Sequence, residues 1–120
     1  MKSYKELTVW QKSFQLVLIL YKITSKFPRD ELYGLTSQIR RAAVAIPSNI
    51  AEGYARKFRK EYIQFLSIAY GSGAELETQL LLAKELGYLY ENDYRTTSSL
   101  LEEVMKMLNK MLFTLRTTNG

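Results

Sequence analysis

Apolar residues recur at three- and four-residue spacing almost from one end of this chain to the other, and that period limits its fold more than any other feature. No β-type alternation runs for long. Prolines stand only at positions 28 and 47, so helices can be long. The spacing predicts four helices, over residues 8–25, 35–52, 59–86 and 93–115. In the first, Trp10, Phe14, Val17, Tyr21 and Thr24 follow one face, and Leu16, Leu20, Ile23 and Phe27 a second. Lys12, Gln15, Lys22 and Lys26 leave only a narrow polar strip. A helix this apolar is buried on more than one side, which in a small bundle points to a contact between subunits. The second helix carries Leu35, Ile39, Ala42 and Ile46, with Asn49 and Gly53 continuing the spacing. The third carries Tyr62, Leu66, Ala69, Gly73, Leu76, Leu80 and Ala83, and the fourth Tyr94, Leu101, Val104, Leu108, Met111 and Leu115.

End signals fit these limits. Thr8-Val9-Trp10-Gln11 reads as a capping box, with Ser3-x-x-Glu6 as a competing start. Phe27-Pro28 ends the first helix. Gly53 and Gly87 suit helix C-termini, and Asn92 or Asp93 suits the start of the fourth helix. Short connections favour antiparallel neighbours, so the expected fold is all-α: one domain over 1–120, an antiparallel up-down four-helix bundle. Pro47 cannot donate to the Ala43 carbonyl and crowds it, so a kink is expected in the second helix. Ser48 or Asn49 is placed to satisfy the disturbed backbone, and the Asn49 amide is expected to bond to it.

The residue inventory excludes much chemistry. The chain has no histidine and no cysteine, which removes the commonest general base, the commonest metal ligand and every disulfide. A ferritin-like di-iron site needs Glu-x-x-His on two helices, and Glu75 and Glu77, two apart, point to different faces. Gly71-Ser72-Gly73 lacks the Lys-Ser/Thr of a phosphate loop and sits inside a helical pattern. No catalytic residue, metal, cofactor or small-molecule substrate is expected. The opening MKSYKELTVW has no signal-peptide core, and the longest apolar run, residues 16–21, is far short of the roughly 20 residues that span a bilayer. A soluble cytoplasmic protein without a membrane partner is expected.

Charge is unevenly placed. Residues 1–60 hold twelve Lys/Arg against four Asp/Glu, and residues 61–120 hold five against eight, within a net charge of +5. Either the basic half faces a polyanion, or it faces the acidic half of another subunit. Arg56, Lys57, Arg59 and Lys60 are the leading candidates for phosphate contacts, with Phe58 among them as a ring that can stack on a base. The plainer reading of the same run is a solvated interhelical loop with cations near a helix end. Cations at the start of a helix oppose its dipole. Arg40 and Arg41 are secondary candidates, and their expected role is pairing with Glu52, Glu75 or Glu77 across helices or subunits.

"YGLTSQIRRAAVAIPSNIAEGYAR" (33–56), followed by "FLSIAYGSGAELETQLLLAKELGYL" (65–89), resembles bacterial proteins related to those encoded in intervening sequences of 23S ribosomal RNA genes. "LTVWQKS" and "FPRDELYGL" fit the same pattern, so the resemblance covers nearly the whole chain. It implies a compact antiparallel bundle assembled as a homopentameric ring, and binding of RNA or DNA. The matching positions are Gln38, Arg40, Arg41, Ile46, Pro47, Asn49, Ala51, Glu52, Gly53 and Arg56, then Gly71, Glu75 and Leu76. No catalytic residue transfers with it. Members of the family often carry Ser or Thr ahead of the third helix, where this chain has Phe58-Arg59. Two expectations of different class stay open: a nucleic-acid-binding oligomer, and a structural or protein-interaction oligomer with no such partner.

Overall fold

A computed structural model describes residues 3–118. It holds four helices, α1 (Thr8–Thr24), α2 (Leu35–Tyr54), α3 (Arg59–Glu85) and α4 (Glu91–Thr117), with three-ten turns at Tyr4–Glu6 and Arg29–Glu31. No strand occurs among the described residues. Helix α1 packs against α2 and α4, and α3 packs against the same two. The molecule measures 50 × 20 × 20 Å. Among the described residues no helix is long and apolar enough to cross a membrane.

Each helix sends one stripe inward. Leu16 and Leu20 from α1, Ile39, Ile46 and Ile50 from α2, Leu66, Leu76 and Leu80 from α3, and Leu101, Val104 and Leu108 from α4 are all essentially inaccessible to solvent. Burying one such side chain contributes about 2 kcal/mol. The two expected stripes of α1 are buried unequally, with Trp10, Val17 and Ile23 partly buried against the core. Leu16, Leu20 and Phe27 enter the core with Val9, Ser13 and Thr24, whereas Phe14 and Tyr21 remain 45% and 43% exposed. Buried Ser13 and Thr24 bond to Trp10 O and Leu20 O, which lets polar side chains sit on the core side. Gln79 is the exception, with a buried Oε1 that has no partner.

Several helix ends differ from the sequence reading. Leu7, in extended conformation, occupies the cap position of α1 without a side-chain bond, and Thr8 is already helical. With Thr8 inside the helix the expected capping box does not form, and Gln11 Nε2 donates to Lys5 O, 2.8 Å away. Ser3 instead caps the first three-ten turn, its Oγ accepting from the Lys5 amide. Gly53 does not terminate α2, which runs on to Tyr54. A Cβ at Gly53 would stand 2.8 Å from Phe65 Cβ and 3.0 Å from Tyr62 Cδ1, so glycine here permits close approach of α3. Asn92 and Asp93 lie inside the first turn of α4, where Glu91 and Asp93 complement the dipole; Tyr90 holds the cap position. Gly87 does end α3, with φ +81, the Tyr88 amide donating to Ala83 O and the Gly87 amide to Lys84 O.

Pro47 is buried inside α2, and Asn49 donates its Nδ2 to Ala45 O at 2.8 Å. Ala45 is not the residue whose carbonyl loses its donor to Pro47. Asn49 therefore braces the neighbouring turn rather than replacing the missing bond.

Candidate nucleic-acid interface

Four residues join α2 to α3, and together with the first two residues of α3 they hold four of the six cations singled out in the sequence. Phe58 takes the cap position of α3 in extended conformation, makes no side-chain capping bond, and is 66% exposed. Lys57, Arg59 and Lys60 are exposed, and none forms an ion pair with another described residue. Arg56 is engaged within the chain. Its Nη2 lies 3.0 Å from Glu52 Oε2, its Nη1 3.9 Å from Glu61 Oε1, and its guanidinium 4.8 Å over the Phe65 ring. A phosphate would have to compete with two carboxylates for Arg56, so the free cationic set is Lys57, Arg59 and Lys60.

Arg40 and Arg41 stand apart from that set, about 20 Å back along α2 at 1.5 Å per residue. The expected pairing of Arg40 with Glu52, Glu75 or Glu77 does not occur. Its Nε donates to Thr24 Oγ1 at 2.9 Å, its Nη2 to Tyr21 O at 3.3 Å, and its guanidinium lies 4.6 Å over the Tyr21 ring. The flat guanidinium suits this combination of ring, hydroxyl and carbonyl better than it suits a distant carboxylate. Arg41 is exposed, and neither it nor Glu75 or Glu77 has an ion-pair partner among the described residues. Gln38 is exposed on α2 and Gly71 on α3, where a Cβ would meet nothing within 4 Å.

Two features around these residues depend on helix packing. Beside the start of α3, Tyr62 joins Met111, Thr114, Leu115 and Lys110 of α4 in an open, mostly apolar groove of about 310 Å³. Burial, and after it the neighbouring Tyr54, raises the Tyr62 phenol above its ordinary value, so it stays a neutral donor. On the far side, the stacked rings of Trp10 and Phe14 line a second groove with Val17, Val44, Pro47 and Ala51. The α1 residues of the second groove lie on one stripe of its periodicity, which marks the face but not a groove. The first brings two helices distant in sequence together, and only the composition of each helix could have hinted at it.

The opposite end is held by Glu31. Its Oε1 accepts the Leu35 amide at 3.0 Å, and its Oε2 accepts the Tyr88 hydroxyl at 3.3 Å. Partial burial first, then the charge of Glu31 and this bond, raise the Tyr88 phenol above its ordinary value. No group of three or more Asp or Glu able to hold a metal ion occurs among the described residues.

Residues 5–110 match the 23S rRNA-intervening sequence protein family. The chain belongs to that family. A solved structure of similar fold is a protein with unknown function from the S23 ribosomal protein family of Bacteroides thetaiotaomicron VPI-5482. The likeness has a TM-score of 0.80 at 24% identity and covers 88% of this chain and 98% of that one. No curated protein matches the chain. Within the 23S rRNA-intervening sequence protein family match fall both arginine sites and the α2–α3 turn, together with Lys110.

Proposed function

We propose that this chain is a non-enzymatic, cytoplasmic homo-oligomer that binds structured RNA, or other nucleic acid, through a basic surface. Its protomer is an up-down antiparallel bundle with α2 bent at Pro47, and five protomers close into a ring, as the family resemblance implies. The observation that carries the binding reading is the exposed trio Lys57, Arg59 and Lys60, free of carboxylate partners. The family's name adds a tie to ribosomal RNA.

The direction of the helices is supported by short connections and by two contacts. Arg40, near the start of α2, reaches the last turn of α1, while Ala51, near its end, shares a groove with Trp10. Self-association is supported by the outer face of α1, where Phe14, Leu18 and Tyr21 are exposed beside Val44 of α2. Gly71 adds to this. A glycine inside a helix costs about 1 kcal/mol relative to alanine, and no packing within the chain uses it. Head-to-tail contact between the cation-rich first half of one copy and the carboxylate-rich second half of the next is the arrangement that closes rings.

The second reading, a structural oligomer with no nucleic-acid partner, is favoured by the internal engagement of both Arg40 and Arg56. RNA binding measured across a salt series decides between them. Replacing Lys57, Arg59 and Lys60 together with alanine is expected to flatten the slope of log affinity against log salt by about 2 for single-stranded segments. Absence of binding at low salt, or an unchanged slope, favours the second reading. Light scattering tests the assembly, and a monomer at micromolar concentration rules the ring out.

A further inference from the structure

The start of α3 runs against local helix chemistry in three ways. The cap position, where Ser, Thr, Asp or Asn would hold first-turn amides, carries Phe58 with no side-chain bond. Arg59 and Lys60, ahead of Glu61 in the same first turn, then place positive charge at the positive end of the helix dipole. The Phe58 ring, 66% exposed, lies between cations that have no carboxylate partner. A ligand bringing negative charge and a flat apolar face would satisfy all of these groups together.

One turn further along, a rise of about 6 Å, Tyr62 faces the groove it shares with Met111, Thr114 and Leu115, with Lys110 at its rim. Tyr54 meets the Tyr62 ring edge-on at 6.3 Å and steadies it. Aromatic surface therefore occurs twice in succession, with cations beside each. Platforms for unpaired nucleotides have this composition: rings for bases and ammonium or guanidinium groups for phosphates.

We infer that this end of the bundle binds an unpaired RNA strand or loop, one base stacking on Phe58 and a neighbouring base entering the groove at Tyr62. Lys57, Arg59, Lys60 and Lys110 meet the phosphates. The inference rests on the basic-surface reading above and narrows it. A perfect duplex keeps its base faces inside the stack and offers Phe58 nothing.

The test compares a labelled, unstructured oligouridylate with a blunt RNA duplex of equal charge, by anisotropy across one salt series. The single strand is expected to bind more tightly. Phe58→Leu, apolar but unable to stack, is expected to weaken single-strand binding by roughly 5- to 150-fold while leaving duplex binding and the salt slope unchanged. Phe58→Trp should keep the preference. A single-stranded DNA bound equally well supports the stacking, which does not depend on the 2′-hydroxyl. Equal affinity for strand and duplex, or a Phe58→Leu protein that binds like the parent, overturns the inference. If the Lys57, Arg59 and Lys60 triple-alanine variant weakens binding in that case, the basic-surface reading survives alone. No binding of either RNA at low salt removes both.

Discussion

The two ends of the bundle are built in opposite ways. Where α1 meets α2 and α3 meets α4, polar groups and helix ends are tied to one another. Glu31 serves both the Leu35 amide and the Tyr88 hydroxyl, Phe27 packs on Tyr88, and Arg40 serves Tyr21 and Thr24. Gly87 closes α3, and Lys84 lies 3.6 Å from Glu91 and 4.8 Å over the Tyr94 ring. At the turn between α2 and α3, Arg56 alone among the cations is tied down, and the helix that follows has no side-chain cap. None of α1 to α4 has a side-chain bond at its cap position, and only α2 has a first-turn amide held by a side chain, that of Glu31. The α2–α3 end is set apart by its unpaired cations and exposed Phe58 ring.

That contrast implies effects of different size and sign. The largest is expected at Gly53, since packing of α2 on α3 is what holds the bare end. Gly53→Val should cost about 3 kcal/mol, because its side chain overlaps Phe65 and Tyr62; urea denaturation measures it. An unchanged midpoint would mean that the two helices separate there easily. Next comes the tied end, where Glu31→Ala removes two bonds and should cost about 2 kcal/mol in the same assay. A loss of only a few tenths would show that water replaces Glu31 readily, and that the two ends differ less than their bonding suggests. The smallest effect carries the opposite sign. Phe58→Ser supplies the missing cap and should stabilise the fold by about 1 kcal/mol while weakening binding to single strands. A variant that is less stable than the parent would mean that the Phe58 ring supports the fold after all.

How much of this could be read from sequence follows from the reach of each interaction. Helix content came from a period that every helix repeats, and the inward residues of α3 lie where that period puts them, with Tyr62 only half-buried at the end of the stripe. Which stripe of α1 enters the core was not readable. Both are apolar, and only the positions of α2 and α4 choose between Leu16 and Phe14. Gly53 looked like a terminator because glycine at the end of a pattern usually is one; its real constraint, the Phe65 side chain, is twelve residues away on another helix. Charge alone suggested carboxylates for Arg40, yet a hydroxyl, a carbonyl and a ring lay closer. At the candidate interface the cations of residues 56–60 were visible as a run, whereas the groove at Tyr62 needs Lys110 and Met111 brought in from α4.

The hold of Arg40 on α1 bears on how the molecule comes apart. The last carbonyls of a helix ordinarily look to water, and its final turn opens and closes without the rest. Here the Tyr21 carbonyl and the Thr24 hydroxyl, the latter itself bonded to Leu20 O, are held by a side chain of the next helix. The final turn of α1 therefore cannot unravel alone without giving up Arg40. Amides there should exchange with solvent only when α1 and α2 part together, while those of the first turn of α3 exchange through opening of a single turn. One arginine makes two helices a single cooperative unit.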